Sequence, residues 1–180
     1  MSKQAILVVD FQCEYFSGGK LPLSQVEQAA ENAAKILTKA RNDETLIIHI
    51  RHEFDGTDAP FFEPNTPGVV IHDSVKPENN EPVIVKNFPN SFLKTSLKAE
   101  LDKAEVTEVV VIGAMSHMCV EATSRAASDF GYKVSVIEDA CATMDLEFNG
   151  VHVPAKHVHA TAMAALAFGY GKILTTQDFL

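Results

Sequence analysis

Cysteine is scarce in this chain of 180 residues, which contains only Cys13, Cys119 and Cys141. The number is odd, and no two of these residues have the Cys-x-x-Cys spacing that is typical of metal sites. A disulfide framework is therefore not expected, and we interpret each cysteine as a free thiol.

Long hydrophobic runs are also missing. No segment approaches the roughly 20 consecutive apolar residues that a membrane-spanning helix requires. The segment from Met1 to Asp10 leads directly into a strand-like run, without the basic region and longer apolar region of a signal peptide. We therefore expect a cytoplasmic protein.

Basic residues are outnumbered, with 15 lysines and arginines against 24 aspartates and glutamates and a formal net charge of −9. Binding to nucleic acid requires a basic face that can replace phosphate counterions. Binding to an anionic membrane surface is also favoured by basic residues. The charge therefore argues against nucleic-acid and membrane partners. The length predicts one domain over residues 1–180.

Six short apolar runs, rich in β-branched residues, are spaced along the chain. They are 5–9, 46–50, 82–85, 109–112, 134–137 and 172–174. Such runs are typical of strands that are buried on both faces of a parallel sheet. The segments between them carry helical patterns. The expected fold is α/β, a three-layer α/β/α sandwich with a six-stranded, mostly parallel, Rossmann-like sheet.

Four of the intervening segments have helical patterns. They are 24–41, 91–103, 117–130 and 154–168. Ser24 is placed as the N-cap of the first helix, and Glu27, three residues later, completes a capping box. The third pattern stops at Gly131 and the fourth stops at Gly169, as is typical of helix C-termini.

An irregular segment at about 53–81 contains Pro60, Pro64, Pro67 and Pro77. A connection of this length inside a compact domain is more often a functional loop than a linker. Two interpretations of its aromatic pair, Phe61 and Phe62, remain open. The pair forms either a lid over a site or an arm that reaches a neighbouring subunit.

Three reactive side chains follow predicted strands. Asp10 follows the first strand, Lys86 follows the third, and Cys119 comes a few residues after the fourth. The carboxyl ends of parallel strands are where α/β sheets bind their ligands. A cysteine nucleophile needs a proton acceptor and a positive neighbour, which Asp10 and Lys86 would supply.

Cys119 also lies where a helix is predicted to begin. The free N–H groups and dipole of a helix N-terminus favour a thiolate and could bind an oxyanion. We therefore expect this position and the Lys86 charge to lower the pKa of Cys119. On position alone, Cys119 could equally be a small buried hydrophobe, and Asp10 with Lys86 a structural ion pair.

Three separated motifs resemble the isochorismatase-like cysteine hydrolases, a family that includes nicotinamidases, N-carbamoylsarcosine amidohydrolases and streptothricin hydrolases. They occur in order, at comparable spacing, over nearly the whole chain. The motifs are Val8-Val9-Asp10-Phe11-Gln12 with Phe16, then Val85-Lys86 with Ser91-Phe92 and Leu97, then Gly113-Ala114-Met115-Ser116-His117-Met118-Cys119-Val120 with Thr123, Arg125, Ala126 and Gly131.

This resemblance implies a catalytic triad of Asp10, Lys86 and Cys119. It also implies a cis peptide bond between Ala114 and Met115, which directs the N–H groups of Met115 and Cys119 toward an oxyanion. The implied activity is hydrolysis of a C–N amide or carbamoyl bond in a small molecule through a thioester. The resemblance further implies a homo-oligomer, either a dimer or a tetramer.

The sequence departs from the nicotinamidases, which hold a metal with an Asp-x-His pair and a further histidine. The corresponding stretch, His49-Ile50-Arg51-His52-Glu53, lacks the Asp-x-His. His52 and His72 are the histidines that could still meet in space. We expect no metal and no cofactor, and we do not expect nicotinamide to be the first choice of substrate.

The substrate pocket is predicted from residues near the triad in sequence. Phe16, Phe88 and Phe92 are expected to form an apolar wall, with ordinary core packing as the alternative. His117, two residues before Cys119, either contacts the substrate or caps a helix.

Three other functions remain open. A vinyl-ether hydrolase would use Asp10 as the acid and would not need Cys119. A non-catalytic member of the family would bind a small molecule through an unreactive Cys119. A thiol redox sensor would need Cys13 or Cys141 as a resolving cysteine close to Cys119.

Overall fold

The computed structural model describes residues 3–54, 56 and 59–180. The strands of this part are β1 (Gln4–Val9), β2 (Leu46–His52), β3 (Val83–Lys86), β4 (Glu108–Ala114), β5 (Lys133–Ala142), β6 (Leu146–Phe148), β7 (Val151–Val153) and β8 (Lys172–Leu174). Six of them form one sheet in the order β3-β2-β1-β4-β5-β8, and every neighbouring pair is parallel. The predicted six-stranded parallel sheet is therefore confirmed.

The strand order reverses between β1 and β4. The chain adds β2 and β3 on one side of β1, and then adds β4, β5 and β8 on the other side. In open α/β sheets this reversal opens a crevice at the carboxyl ends of the two central strands. The residues that follow β1 and β4 therefore lie at the place where such sheets bind ligands.

Helices cover both faces of the sheet. They are α1 (Val26–Asn42), α2 (Leu97–Lys103), α3 (Glu121–Asp129), α4 (Ala155–Gly169) and α5 (Thr176–Phe179). Alternate side chains of β1 point to opposite faces, as the period of a strand requires. Ile6 and Val8 pack with α1, whereas Leu7 and Val9 share a second core with residues of α2, α3 and α4. The three-layer α/β/α sandwich is confirmed.

The predicted capping box at the start of α1 is wrong. The residue before the helix is Gln25, whose φ is +57°, and no side chain caps the helix. Ser24 instead donates its backbone N–H to the carbonyl of Thr143 (2.8 Å) in an isolated antiparallel bridge. The tertiary contact with Thr143 fixes the entry to α1 in place of a local cap.

The second helix is shorter than its pattern predicted. It begins at Leu97, because residues 91–96 form turns. The hydroxyl of Ser91 lies 2.7 Å from that of Thr123, and Thr123 belongs to α3. A buried contact between distant segments therefore competes with helix formation at this end.

A small hairpin of β6 and β7 was not predicted. Its turn is Asn149-Gly150, in which both residues have positive φ, +50° and +77°. Asn-Gly is the strongest short-range hairpin signal, since both central residues of the turn must adopt such angles. The signal was therefore present in the sequence.

The segment 53–81 is irregular, as predicted, with short 3₁₀ turns at Pro67–Val69 and Asp73–Val75. Its residues Asp55, Thr57 and Asp58 lie outside the described part. Phe62 is buried in its own chain, with its ring centroid 4.9 Å from that of Tyr15. The interpretation of Phe62 as an arm that reaches a neighbouring subunit is therefore wrong.

Across residues 3–54, 56 and 59–180, no helix has the length and apolar character needed to cross a bilayer.

The Gly113 position in β4 leads to a first prediction. Its φ is +135°, and a Cβ there would lie 2.0 Å from the Val9 carbonyl oxygen of β1. We expect Gly113→Ala to lower the free energy of unfolding by about 3 kcal/mol or more, because backbone atoms of the central strands cannot move aside. Urea denaturation measures this change. Gly169→Ala is the control, since no atom lies within 4 Å of that Cβ, and equal losses in both variants would contradict the prediction.

A half-buried ion pair near the start of β3 links three elements. The Glu81 carboxylate accepts hydrogen bonds from Nε of Arg41 (2.8 Å) and from the backbone N–H of Glu78 (2.9 Å). It also lies 3.0 Å from Nε2 of His49 in β2. Burial raises the pKa of Glu81, but these hydrogen bonds outweigh burial and lower the pKa to about 2.

This lowered pKa gives a prediction with a defined sign. The stabilisation by Glu81 is complete above its unfolded pKa of about 4.3 and is lost as the pH falls toward 2. We expect Glu81→Gln to cost about 1–2 kcal/mol at pH 7, a figure reduced for partial solvent exposure, and clearly less at pH 3. Urea denaturation at both pH values checks this. The exposed Glu147→Gln is the control, and a cost that grew at low pH would refute the assignment.

Candidate active site

The structure brings Asp10, Lys86 and Cys119 together at the carboxyl edge of the sheet. Nζ of Lys86 lies 2.8 Å from Oδ2 of Asp10 and donates a hydrogen bond to Sγ of Cys119 (3.2 Å). All three residues are buried, with exposed fractions of 0%, 1% and 4%. Residues 109, 76 and 33 positions apart in the chain thus form one compact polar centre inside an apolar core.

Lys86 reaches this centre across a neighbouring strand. It ends β3, and β2 lies between β3 and β1. Two strand spacings amount to about 10 Å, a distance that the long lysine side chain helps to cover. A shorter basic group could not contact Asp10 from this strand.

Asp10 adopts an unusual backbone conformation directly after β1. Its φ is +53°, in the left-handed region where Asp and Asn are enriched among non-glycine residues. Its N–H donates to the Ile50 carbonyl (3.0 Å) and its carbonyl accepts from the N–H of Gln12 (2.8 Å). Both carboxylate oxygens of Asp10 are buried.

A fourth residue, His52, contacts the same ammonium group. Nδ1 of His52 lies 2.8 Å from Nζ of Lys86. Burial lowers the pKa of His52 to about 4, and the Lys86 charge adds to this effect more than Asp10 opposes it. The imidazole is therefore neutral near pH 7, with Nδ1 as an acceptor and the proton on Nε2. Within the described part of the chain, Nε2 is buried without a partner.

The side chain of Gln12 fixes the backbone of His52. Oε1 of Gln12 accepts the N–H of His52 (2.7 Å), and Nε2 donates to the carbonyls of His52 (2.8 Å) and Val69 (3.0 Å). Gln12 is fully buried, so these bonds replace the hydration that it lost. These hydrogen bonds therefore explain in structural terms why a glutamine occupies position 12, in the first of the three family-like motifs.

A metal site does not fit these residues. Ligand atoms of Asp10, His52 and Cys119 lie within 4.8 Å of one another, but the Lys86 ammonium contacts all three residues and already supplies the positive charge. His72 is used elsewhere, since its Nδ1 lies 2.8 Å from the Ser74 hydroxyl. Among the described residues, no group of three possible ligands contains both His52 and His72.

The expected lowering of the Cys119 pKa is wrong. Burial raises the pKa of the thiol above its ordinary value, and the charge of Asp10 adds to burial. Lys86 lowers this pKa, but by less than the other two causes raise it. Before a reaction, the centre therefore holds Cys119 as a thiol rather than as a thiolate.

Lys86 keeps its proton in this environment. Burial lowers the pKa of Lys86, but the charge of Asp10 and the hydrogen bonds with Asp10 and Cys119 outweigh burial, so the pKa lies above its ordinary value. The centre thus contains a permanent positive charge beside a neutral thiol.

The backbone around Cys119 forms a turn with π-helical hydrogen bonding, Ser116–Val120, ahead of α3. The Ala114–Met115 peptide bond is cis, the conformation that the family resemblance implied. The carbonyl of Met115 accepts the N–H groups of Met118 (3.0 Å) and Val120 (3.2 Å). The N–H of Cys119 lies between these two N–H groups in sequence and is not one of the two that donate to the Met115 carbonyl. Its role in binding an oxyanion stays a prediction.

The predicted pocket aromatics lie in different surroundings. Phe16 stacks on His72 with ring centroids 3.7 Å apart. Phe92 packs against Phe130 at 5.1 Å in the core on the α2 and α3 face. Phe88 lies under the Lys94 ammonium at 5.2 Å. The structure does not gather the three phenylalanines into one wall, and their contact with a substrate stays a prediction.

His117 is held by a residue beyond β5. Its Nδ1 lies 2.7 Å from the Thr143 hydroxyl. Burial lowers the pKa of His117, and Glu121 opposes this effect. The contact fixes the imidazole ring beside the Cys119 turn, and its contact with a substrate stays a prediction.

Sequence reasoning missed Tyr15 and Phe54 near the centre, whereas Phe62 belongs to the aromatic pair for which a lid was one of the two interpretations. The rings of Phe54 and Phe62 lie 5.2 and 5.5 Å from that of His52. Burial raises the pKa of Tyr15 well above its ordinary value, and the charge of Asp10 adds to this effect. Phe54 and Phe62 come from the irregular segment, whose path no local pattern predicts.

A cavity of about 530 Å³ lies apart from the triad. It opens beside α1 and the start of α4, and its lining includes Asn32, Glu138 and His159. None of Asp10, Lys86 and Cys119 lines it. We therefore place the chemistry at the buried triad and not in this cavity.

The chain is similar to known proteins over nearly its whole length. Residues 4–178 match the model of the isochorismatase domain. The uncharacterized isochorismatase family protein YddQ of Bacillus subtilis is 49% identical over 176 residues, which cover 98% of each chain. The maleamate amidohydrolase of Pseudomonas putida is 27% identical over 192 residues, covering 98% of this chain and 84% of its own. A crystal structure described as a putative isochorismatase hydrolase of Oleispira antarctica matches with a TM-score of 0.95 and 47% identity, covering 98% of this chain and 95% of its own.

The causes of the raised thiol pKa give a third prediction. Asp10→Asn removes a negative charge that raises the pKa of Cys119. We expect this variant to react severalfold faster than the unaltered protein with iodoacetamide at pH 7.5, because more of Cys119 is then thiolate. Site-resolved mass spectrometry measures the rate, with the buried Cys141 as internal control. A slower reaction at Cys119 alone would show that Asp10 does not oppose thiolate formation.

Proposed function

The chain belongs to the isochorismatase family, and from this premise we propose that it hydrolyses a C–N amide or carbamoyl bond of a small molecule with Cys119 as nucleophile. One observation carries the proposal. The Lys86 ammonium contacts both the Asp10 carboxylate (2.8 Å) and the Cys119 thiol (3.2 Å) in a buried centre. A nucleophile, a proton acceptor and a fixed positive charge are thus adjacent.

The first step transfers the thiol proton of Cys119 to Asp10 while the sulfur attacks the substrate carbon. The raised pKa of Cys119 means that this transfer accompanies the attack and does not precede it. A carboxylate oxygen of Asp10 lies within 4.8 Å of the Cys119 sulfur, so Asp10 can receive the proton. Lys86 stays protonated and compensates the negative charge that leaves Asp10 and develops on the substrate.

The tetrahedral oxyanion accepts hydrogen bonds from the N–H groups of Met115 and Cys119. Loss of one such donor typically costs about 3 kcal/mol of transition-state stabilisation. Protonated Asp10 then gives its proton to the departing amine or ammonia, and the C–N bond breaks to leave a thioester on Cys119. Asp10 next accepts a proton from the water that attacks the thioester. The C–S bond then breaks, Asp10 returns this proton to the Cys119 sulfur, and the acid leaves.

The choice of a C–N bond follows from the nucleophile. A thiol forms a thioester with a carbonyl carbon, and general acid catalysis by Asp10 suits an amine leaving group. The relative named maleamate amidohydrolase supports an amide substrate. The buried centre fits a small substrate better than a polymer. The expected homo-oligomer and the cytoplasmic location stay predictions.

The test is ammonia release from a panel of small primary amides and carbamoyl compounds. For any compound that is turned over, we expect Cys119→Ala to lower kcat by about a thousandfold or more, because no covalent intermediate can form. Mass spectrometry of the unaltered protein should then detect the acyl adduct on Cys119.

Cys13→Ala is the matched control and should keep its activity, since Cys13 lies outside the triad. Near-normal turnover by Cys119→Ala would overturn the proposal.

A further inference from the structure

His52 has a defined place beside the triad. The register of the β2 and β3 strands pairs His52 with Lys86, so both side chains leave the sheet at the same edge. Nδ1 of His52 lies 2.8 Å from Nζ of Lys86. The proposed mechanism uses Lys86 but assigns no role to the histidine.

The contact completes the surroundings of a buried ammonium group. An ammonium has three N–H donors, and Nζ of Lys86 has three close acceptors, on Asp10, Cys119 and His52. A buried donor without a partner is costly, so a missing third acceptor would favour another position of the lysine side chain. The three contacts together define one position for Nζ.

The third acceptor is also uncharged. A carboxylate at this position would give the centre a net negative charge, since the Asp10 carboxylate already balances the ammonium, and a further negative charge would oppose formation of a thiolate. The neutral imidazole satisfies the donor and leaves the positive charge available to the Cys119 sulfur. The type of acceptor therefore matters as much as its presence.

The surroundings keep His52 in place. Its backbone is bound on both sides by the Gln12 side chain, at 2.7 Å through the N–H and 2.8 Å through the carbonyl. Its ring lies next to those of Phe54 and Phe62. These contacts hold the backbone and the ring of His52 in place independently of the lysine.

We propose that His52 is a positioning residue, whose Nδ1 holds the Lys86 ammonium against Asp10 and Cys119 without neutralising it. The proposal rests on the proposed function in taking Cys119 as the nucleophile. It predicts that Cys119 reactivity depends on an acceptor at the position of Nδ1.

Two variants separate the acceptor from the volume of the ring. Oδ1 of Asn can take the place of Nδ1 in His52→Asn, whereas His52→Leu offers no acceptor. At pH 8 we expect His52→Leu to slow iodoacetamide alkylation of Cys119 about tenfold, the change that one pKa unit gives in the thiolate fraction. His52→Asn should stay within about threefold of the unaltered protein. Mass spectrometry reads the rates, with Cys141 as internal control.

Equal rates in all three proteins would overturn the proposal, and so would equal slowing by both variants, which would assign the effect to ring volume. If His52→Leu does not fold, ¹⁵N NMR of the unaltered protein decides the question. The proposal requires Nδ1 to be unprotonated near pH 7, and a proton on Nδ1 would overturn it. Alkylation needs no substrate, so a failed amide panel would reject the proposed function and leave this result intact.

Discussion

The ammonium group of Lys86 is the feature on which the rest of the site depends. A buried charge is costly unless it is paired and hydrogen-bonded, and here Asp10, Cys119 and His52 together meet that requirement. Removing any of them would leave a charge or a donor unsatisfied in the interior. The hydrogen bonds of the Gln12 side chain to the backbone of His52 support this arrangement by holding His52 in place. The Lys86 ammonium, on which the proposed catalysis depends, is therefore also a group that the fold must keep in place.

The topology of the sheet makes this arrangement possible. The reversal of strand order between β1 and β4 places Asp10 and the Cys119 turn at neighbouring strand ends. Lys86 enters from β3, two strands away from β1, and crosses the end of β2 beside His52. Gly113 lets β4 approach β1 so closely that a Cβ would contact the Val9 carbonyl. Close packing of the central strands and the geometry of the triad are thus two results of one topology.

Much of the fold could be predicted, because the six buried strands are continuous apolar runs and the helices between them have clear patterns. The failures have physical reasons. Ser24 does not cap α1, because it pairs with Thr143 across the molecule. The second helix begins late, at Leu97, after the turn in which Ser91 binds Thr123. The Asn149-Gly150 hairpin was overlooked although its signal is local.

The sequence by itself determined the type of sheet, the residues at its carboxyl edge and the family, because these follow from local hydrophobic patterns and separated motifs. Only the tertiary structure decided how Asp10, Lys86 and Cys119 act on one another. Dipole and charge arguments from the sequence predicted a lowered thiol pKa, but the pKa of Cys119 is raised. Burial and the approach of Asp10 determine that sign, and neither can be calculated without the positions of residues that are distant in the chain. The same reason explains why His52 was first considered as a metal ligand and is found as an acceptor for Lys86.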